Sequence, residues 1–138
     1  MTKNIIATVT MAALAVGLSA SSATAANKPR LTGEAKLVKM LEGRQPDKPV
    51  SCLPLGSATE TRIIDKTAIV YRFGSTLYVN RPSNASSLND DDILVTRQTS
   101  PQLCRLDTVQ LQDRSTFFYS GFVGLQDFVP YRKVASAN

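Results

Sequence analysis

The chain has no histidine, no tryptophan, two cysteines and only eleven carboxylates among 138 residues. Each shortage removes a class of chemistry. Without histidine there is no Ser-His-Asp or Cys-His nucleophile system and no imidazole metal site. The cysteines stand at 52 and 104, too far apart for a CxxC redox pair or for zinc-ligand spacing. No glycine-rich phosphate loop follows a strand-like run, and no Ser-x-x-Lys occurs. The acids cluster once, at Asp90-Asp91-Asp92. That run lacks the alternating oxygen ligands, turn glycine and distal glutamate of a calcium loop, so it reads as a solvated turn before a strand at Ile93. The chain is therefore expected to be no enzyme and to use no cofactor and no metal.

The first residues carry the clearest positive signal. Lys3 supplies a basic end, an apolar run follows from Ile5 to Leu18, and Ala23-Thr24-Ala25 has the small-x-small form of a cleavage site. Residues 1–25 read as a secretory signal peptide. The apolar run of about 14 residues falls short of the roughly 20 that a spanning helix needs. No second long apolar run follows, and the expected location is periplasmic or secreted. Residues 26–138 have the length of one domain. Removing Lys3 leaves fifteen basic against eleven acidic residues, a net charge of +4. The excess is spread along the chain without a Lys/Arg cluster, so nucleic acid is not an expected partner.

Both cysteines lie in the exported part, where an even count predicts a disulfide, and two cysteines allow one intramolecular pairing, Cys52–Cys104. Closing a loop of about 53 residues restricts the unfolded chain by roughly 4 kcal/mol.

The pattern predicts an α+β domain, mainly β. Thr32 is placed to cap a short N-terminal helix ending at Gly43, with Leu37, Met40 and Leu41 on one apolar face. Residues 44–49 contain Pro46 and Pro49 and read as a linker that neither a helix nor a central strand tolerates. The expected organisation is thus 26–49 helix and linker, 50–133 a disulfide-stapled β-rich domain, and 134–138 a flexible tail. Strands are expected at 60–65, 67–73, 93–96 and 108–112, with further apolar supply from 117–123 and 125–129. Along 67–73, Ile69, Tyr71 and Phe73 share one face, and Ala68, Val70 and Arg72 the other. Gly74-Ser75 fits a two-residue type II′ hairpin loop, which sets Phe73 opposite Thr76, Arg72 opposite Leu77 and Tyr71 opposite Tyr78. Five or six such strands suggest an antiparallel meander able to curl into a small, partly closed barrel.

Candidate functional residues are few. Tyr71, Phe73 and Tyr78 near Arg72 and Arg81 form a candidate binding surface by aromatic stacking. Asp65, Asp107 and Asp127 are the loop-adjacent acids that a carboxylate enzyme would need, two of them facing one cleft. Asp107, three residues after Cys104, also suits a structural role, accepting backbone amides at the approach to its strand. Asn84-Ala85-Ser86 matches a glycosylation sequon, a match common by chance.

Several short segments carry a resemblance in order and spacing: Pro49-Val50-Ser51-Cys52-Leu53, Thr61-Arg62-Ile63-Ile64-Asp65, Gln102-Leu103-Cys104 with Asp107, and Gly124-Leu125 with Phe128 and Pro130. Through them the chain resembles a family of small exported Gram-negative bacterial proteins of unknown function. The resemblance implies a second cysteine pair at positions that here hold Ala85 and Val123, which would then lie close in space. It implies no activity. The functional expectation is a non-catalytic envelope protein, a binding or structural module for another periplasmic component. The alternatives are an inhibitor of an extracytoplasmic hydrolase presenting a rigid loop such as residues 81–89, and a carboxylate-dependent enzyme.

Overall fold

The computed structural model describes residues 30–97 and 99–135; the leader read over residues 1–25 lies outside them. Within them are one α-helix, α1 (Gly33–Met40), and ten strands: β1 (Arg44–Pro46), β2 (Cys52–Pro54), β3 (Glu60–Ile64), β4 (Ala68–Phe73), β5 (Thr76–Asn80), β6 (Asp92–Val95), β7 (Gln102–Cys104), β8 (Thr108–Asp113), β9 (Tyr119–Gly124) and β10 (Phe128–Lys133). The fold is mainly β, and every strand pairing is antiparallel. It is not one meander of five or six strands. A five-stranded sheet runs β1-β10-β5-β4-β3, beside a two-stranded sheet β2-β7 and a three-stranded sheet β6-β8-β9.

The β4–β5 hairpin shows why alternation and turn chemistry specify a register. Phe73 pairs with Thr76, Arg72 with Leu77 and Tyr71 with Tyr78. Gly74 has φ 55°, a value costly for side chains with a Cβ, while Ser75 stays at negative φ, as a type II′ turn requires.

Both faces of the large sheet are covered. On one, Ile64, Ala68, Val70, Leu77 and Val79 enclose Leu37 of α1, with Met40 and Leu41 alongside. Such a short helix depends on this packing. The Thr32 hydroxyl accepts the Ala35 N–H at 3.3 Å and caps its start. The first helical residue lies so near the β3–β4 turn that a Cβ on Gly33 would sit 2.1 Å from the Asp65 carbonyl oxygen. On the other face, Ile69, Tyr71 and Phe128 join Leu53, Leu103, Val109, Leu111, Val123 and Leu125 from the two small sheets.

Three very short strands account for most of the difference from the sequence reading. Residues 44–46, read as linker, form β1 against β10. Pro46 lacks an N–H, and an outermost strand is where a sheet tolerates that loss. β2 and β7 pair through Cys52 opposite Cys104, and these two cysteines are disulfide-bonded, with Cα atoms 4.0 Å apart. The Asp107 carboxylate accepts the Cys104 N–H at 2.6 Å and fixes the turn into β8.

Barrel closure does not occur. It would require the outer strand β3 of the large sheet to meet the outer strand β6 of the three-stranded sheet, and a cleft separates them. The acidic run before β6 is also not simply solvated: Asp92 begins the strand, is buried, and accepts the Ser120 hydroxyl at 2.9 Å.

Candidate functional site

The proposed stacking residues occupy two faces of the large sheet. Tyr71 is 3 % exposed and packs edge-on against Phe128 at 5.8 Å between centroids. Phe73 and Tyr78 form a second edge-on pair at 5.2 Å, half-buried against the same core. Arg72 lies on the opposite face, its guanidinium 2.9 Å from Glu60. Arg81 reaches to α1, where two nitrogens hold Glu34 at 2.8 and 2.9 Å. Aromatic residues at alternating strand positions have gone into the core.

The exposed aromatics are elsewhere. Phe117, Phe118, Tyr119 and Phe122 are 67 %, 75 %, 60 % and 53 % exposed. They are four of the chain's nine aromatic residues, and they fall within six positions of the β8–β9 hairpin. The turn presenting them is tightly tied. One Asp113 carboxylate oxygen accepts the N–H groups of Ser115 and Thr116 and the Thr116 hydroxyl. The Asp113 carbonyl accepts the Phe117 N–H at 2.8 Å, and the Asp113 N–H donates to Phe118 at 2.9 Å. Hydrogen bonds from Thr116, then Ser115, hold the Asp113 carboxyl below its ordinary range. Phe117 takes φ 60°, a left-handed conformation costly for a bulky side chain, yet its ring stays in solvent.

A register shift between Leu111 and Gln112 then aligns the rest. Gln110 faces Phe122, and Gln112 faces Tyr119, so two aromatics three residues apart share the outer face of the sheet. A regular strand would have put them on opposite faces. The sequence marks this segment only as apolar supply, and apolarity alone does not say which side a strand buries. The available signal was density: four aromatics in six residues do not alternate.

A second feature is the cleft of about 520 Å³ between β3 and β6. Glu60, Thr61, Arg62 and Ile63 line one wall, and Asp92, Ile93 and Leu94 the other, with Tyr71 and Arg114 also contributing. The Tyr71 hydroxyl is buried with no hydrogen-bond partner among the described residues. Burial pushes its phenol pKa up from a value already well above neutral. Glu60 is held below the usual carboxylate range by Arg62 and then Arg72; Asp90 is held down chiefly by Lys36, 2.9 Å away, with Arg30 also contributing.

The candidate acids do not converge. Asp107 is bound to the Cys104 amide, Asp127 lies 3.8 Å from Arg105, and Asp65 sits in the β3–β4 turn; none of the three lines this cleft. Among the described residues, no group of three or more acids or cysteines is placed to hold a metal ion. Residues 81–89 do not form a free loop. Pro82 and Leu88 are buried, and the Asn84 side chain donates to the Phe122 carbonyl at 2.8 Å and accepts from the Gly124 N–H at 3.0 Å. That grip sets the segment carrying Ala85 against the strand carrying Val123, and both residues pack on the larger core. Among the described residues no helix is long and apolar enough to cross a membrane. No family model matches the chain, and no curated protein or solved structure shows significant similarity to it.

Proposed function

We propose that this is an exported, non-catalytic binding module of the cell envelope, which docks a partner protein through the tip and outer face of the β8–β9 hairpin. One observation carries the reading: Phe117, Phe118, Tyr119 and Phe122 are all more than half exposed on a single hairpin. Clustered exposed aromatics are unusual on a solvated surface and enriched in the centres of protein interfaces. The Asp113 cap favours binding, because a loop already ordered loses little entropy on docking. The disulfide supports an oxidising location without fixing which one.

The inhibitor reading finds its support in this same turn. A rigid, protruding, aromatic loop at residues 113–118 suits insertion into a hydrolase better than the packed segment at 81–89. Inhibition assays with extracytoplasmic hydrolases separate that role from simple docking.

The direct test compares the oxidised protein with a Phe117→Ser/Phe118→Ser variant as bait in envelope extract, washed at low and high salt. A partner retained at high salt by the wild type and lost by the variant supports docking through an apolar surface. If both baits recover the same proteins, the hairpin is not the docking site. Sedimentation of the protein alone identifies the case in which the partner is a second copy.

A further inference from the structure

Side chains alternate between the two faces of a strand, so a cavity resting on a face touches every second residue. The cleft touches four consecutive residues of β3 and three consecutive residues of β6. It therefore looks onto the edges of these strands. Among the described residues β3 pairs only with β4, and β6 only with β8, so each turns an unpaired edge towards the other. Unpaired backbone edges are templates for an added strand. The lined stretch of β3 runs about 13 Å, the length of a short guest segment.

The chemistry around these edges is selective. At the rim Glu60 is paired with Arg62 and Arg72, and Asp90 with Lys36 and Arg30. Arg114 makes a hydrogen bond to the Asp92 carbonyl and has no carboxylate within ion-pair distance among the described residues. At the floor, the Tyr71 hydroxyl is a donor without an acceptor. Arg114 also belongs to the turn that carries Phe117 and Phe118, so the cleft continues from the aromatic tip.

We propose that the cleft between β3 and β6 takes an extended segment of a partner protein as an added strand, with an acidic side chain at Arg114 and an acceptor side chain at the Tyr71 hydroxyl. The hydroxyl is buried, so the guest side chain reaches it by a local shift of the cleft lining. The inference rests on the reading that the partner is a protein, and it adds how that partner's chain is held.

The test is selection of a random peptide library, displayed on phage, against the oxidised protein. Enriched peptides are synthesised, and their dissociation constants are measured for wild type and variants whose folding is checked by thermal melts. The expected peptides alternate apolar residues and carry an acid. Thr61→Trp fills the cleft from an exposed position and weakens them at least about tenfold. Tyr71→Phe weakens them about fivefold, the scale of one hydrogen bond. Val38→Ala, on the exposed side of α1, leaves binding intact. The absence of any enriched sequence overturns the proposal, as do peptides indifferent to Thr61→Trp. Binding lost with Phe118→Ser but kept with Thr61→Trp overturns the cleft and leaves the hairpin reading standing. Binding lost only with Thr61→Trp supports the cleft even if partner capture proves independent of Phe118.

Discussion

The five-stranded sheet and the β6-β8-β9 sheet are built from similar hairpins yet end in opposite states. The large sheet is covered by α1 on one side and by the small sheets on the other, and its aromatics Tyr71, Phe73, Tyr78 and Phe128 are buried or half-buried. The three-stranded sheet buries only its inner face, through Val109, Leu111 and Val123, and leaves Tyr119 and Phe122 outside. The difference separates scaffold from surface. Apolar residues on the first hold the fold together, while the outer-face aromatics of the second contribute little to it and stay available to something else.

The largest test of that division concerns the bridge joining the small-sheet half. Reducing Cys52–Cys104 is expected to lower the melting temperature by about 10–15 °C. Melts agreeing within about 2 °C would mean that the bridge adds little to stability. Next come paired truncations followed by urea unfolding. Leu37→Ala, in the helix-side core, is expected to cost about 3 kcal/mol, whereas Phe118→Ser stays within about 0.5 kcal/mol of wild type. Equal losses would erase the distinction between the two regions. Tyr71→Phe removes an unpaired buried hydroxyl from the scaffold, so a gain of up to about 1 kcal/mol is expected, and a clear loss would reveal a partner for that group.

Acid sharpens the comparison with the smallest effects. Glu60 and Asp113 have folded pKa values below their ordinary values of 4.5 and 3.8. Their contributions are therefore fully present above those values and fade as the pH falls through the lower, folded ones. Both groups are solvent-screened, so global stability is expected to change little. Protonating Asp113 should still loosen the aromatic turn, visible as faster amide exchange at Ser115 and Thr116 below about pH 3.8. Unchanged protection there would mean that the turn is held by its backbone bonds alone.

Much of the scaffold was legible because its signals are local. Gly74-Ser75 between alternating strands specified the β4–β5 register, and Thr108 to Gln112 announced β8 by the same alternation. The three-residue strands β1, β2 and β7 were not legible, since each exists only through a partner far away in the chain. Tyr71, a candidate for the binding surface, lies in the core, whereas Phe117, Phe118, Tyr119 and Phe122 from the apolar stretch 117–123 lie outside it and only Val123 is fully buried. Neither difference is one of hydropathy. Alternating aromatics on a strand suit a core as well as a stacking surface, and the placement of Tyr119 and Phe122 follows from a register shift near Ser120 that no simple period encodes. The cleft could not be foreseen, because it lies where two sheets fail to join.

The position of β10 has a consequence for when the protein acquires its shape. This strand, the last of those described, lies between β5 and β1 and supplies Phe128 to the core. Among the described strands, β1 pairs only with it. The principal sheet therefore cannot be complete before β10 has been synthesised, and β1 waits for its partner until then. Long-range antiparallel pairing of this kind is intrinsically slow to form.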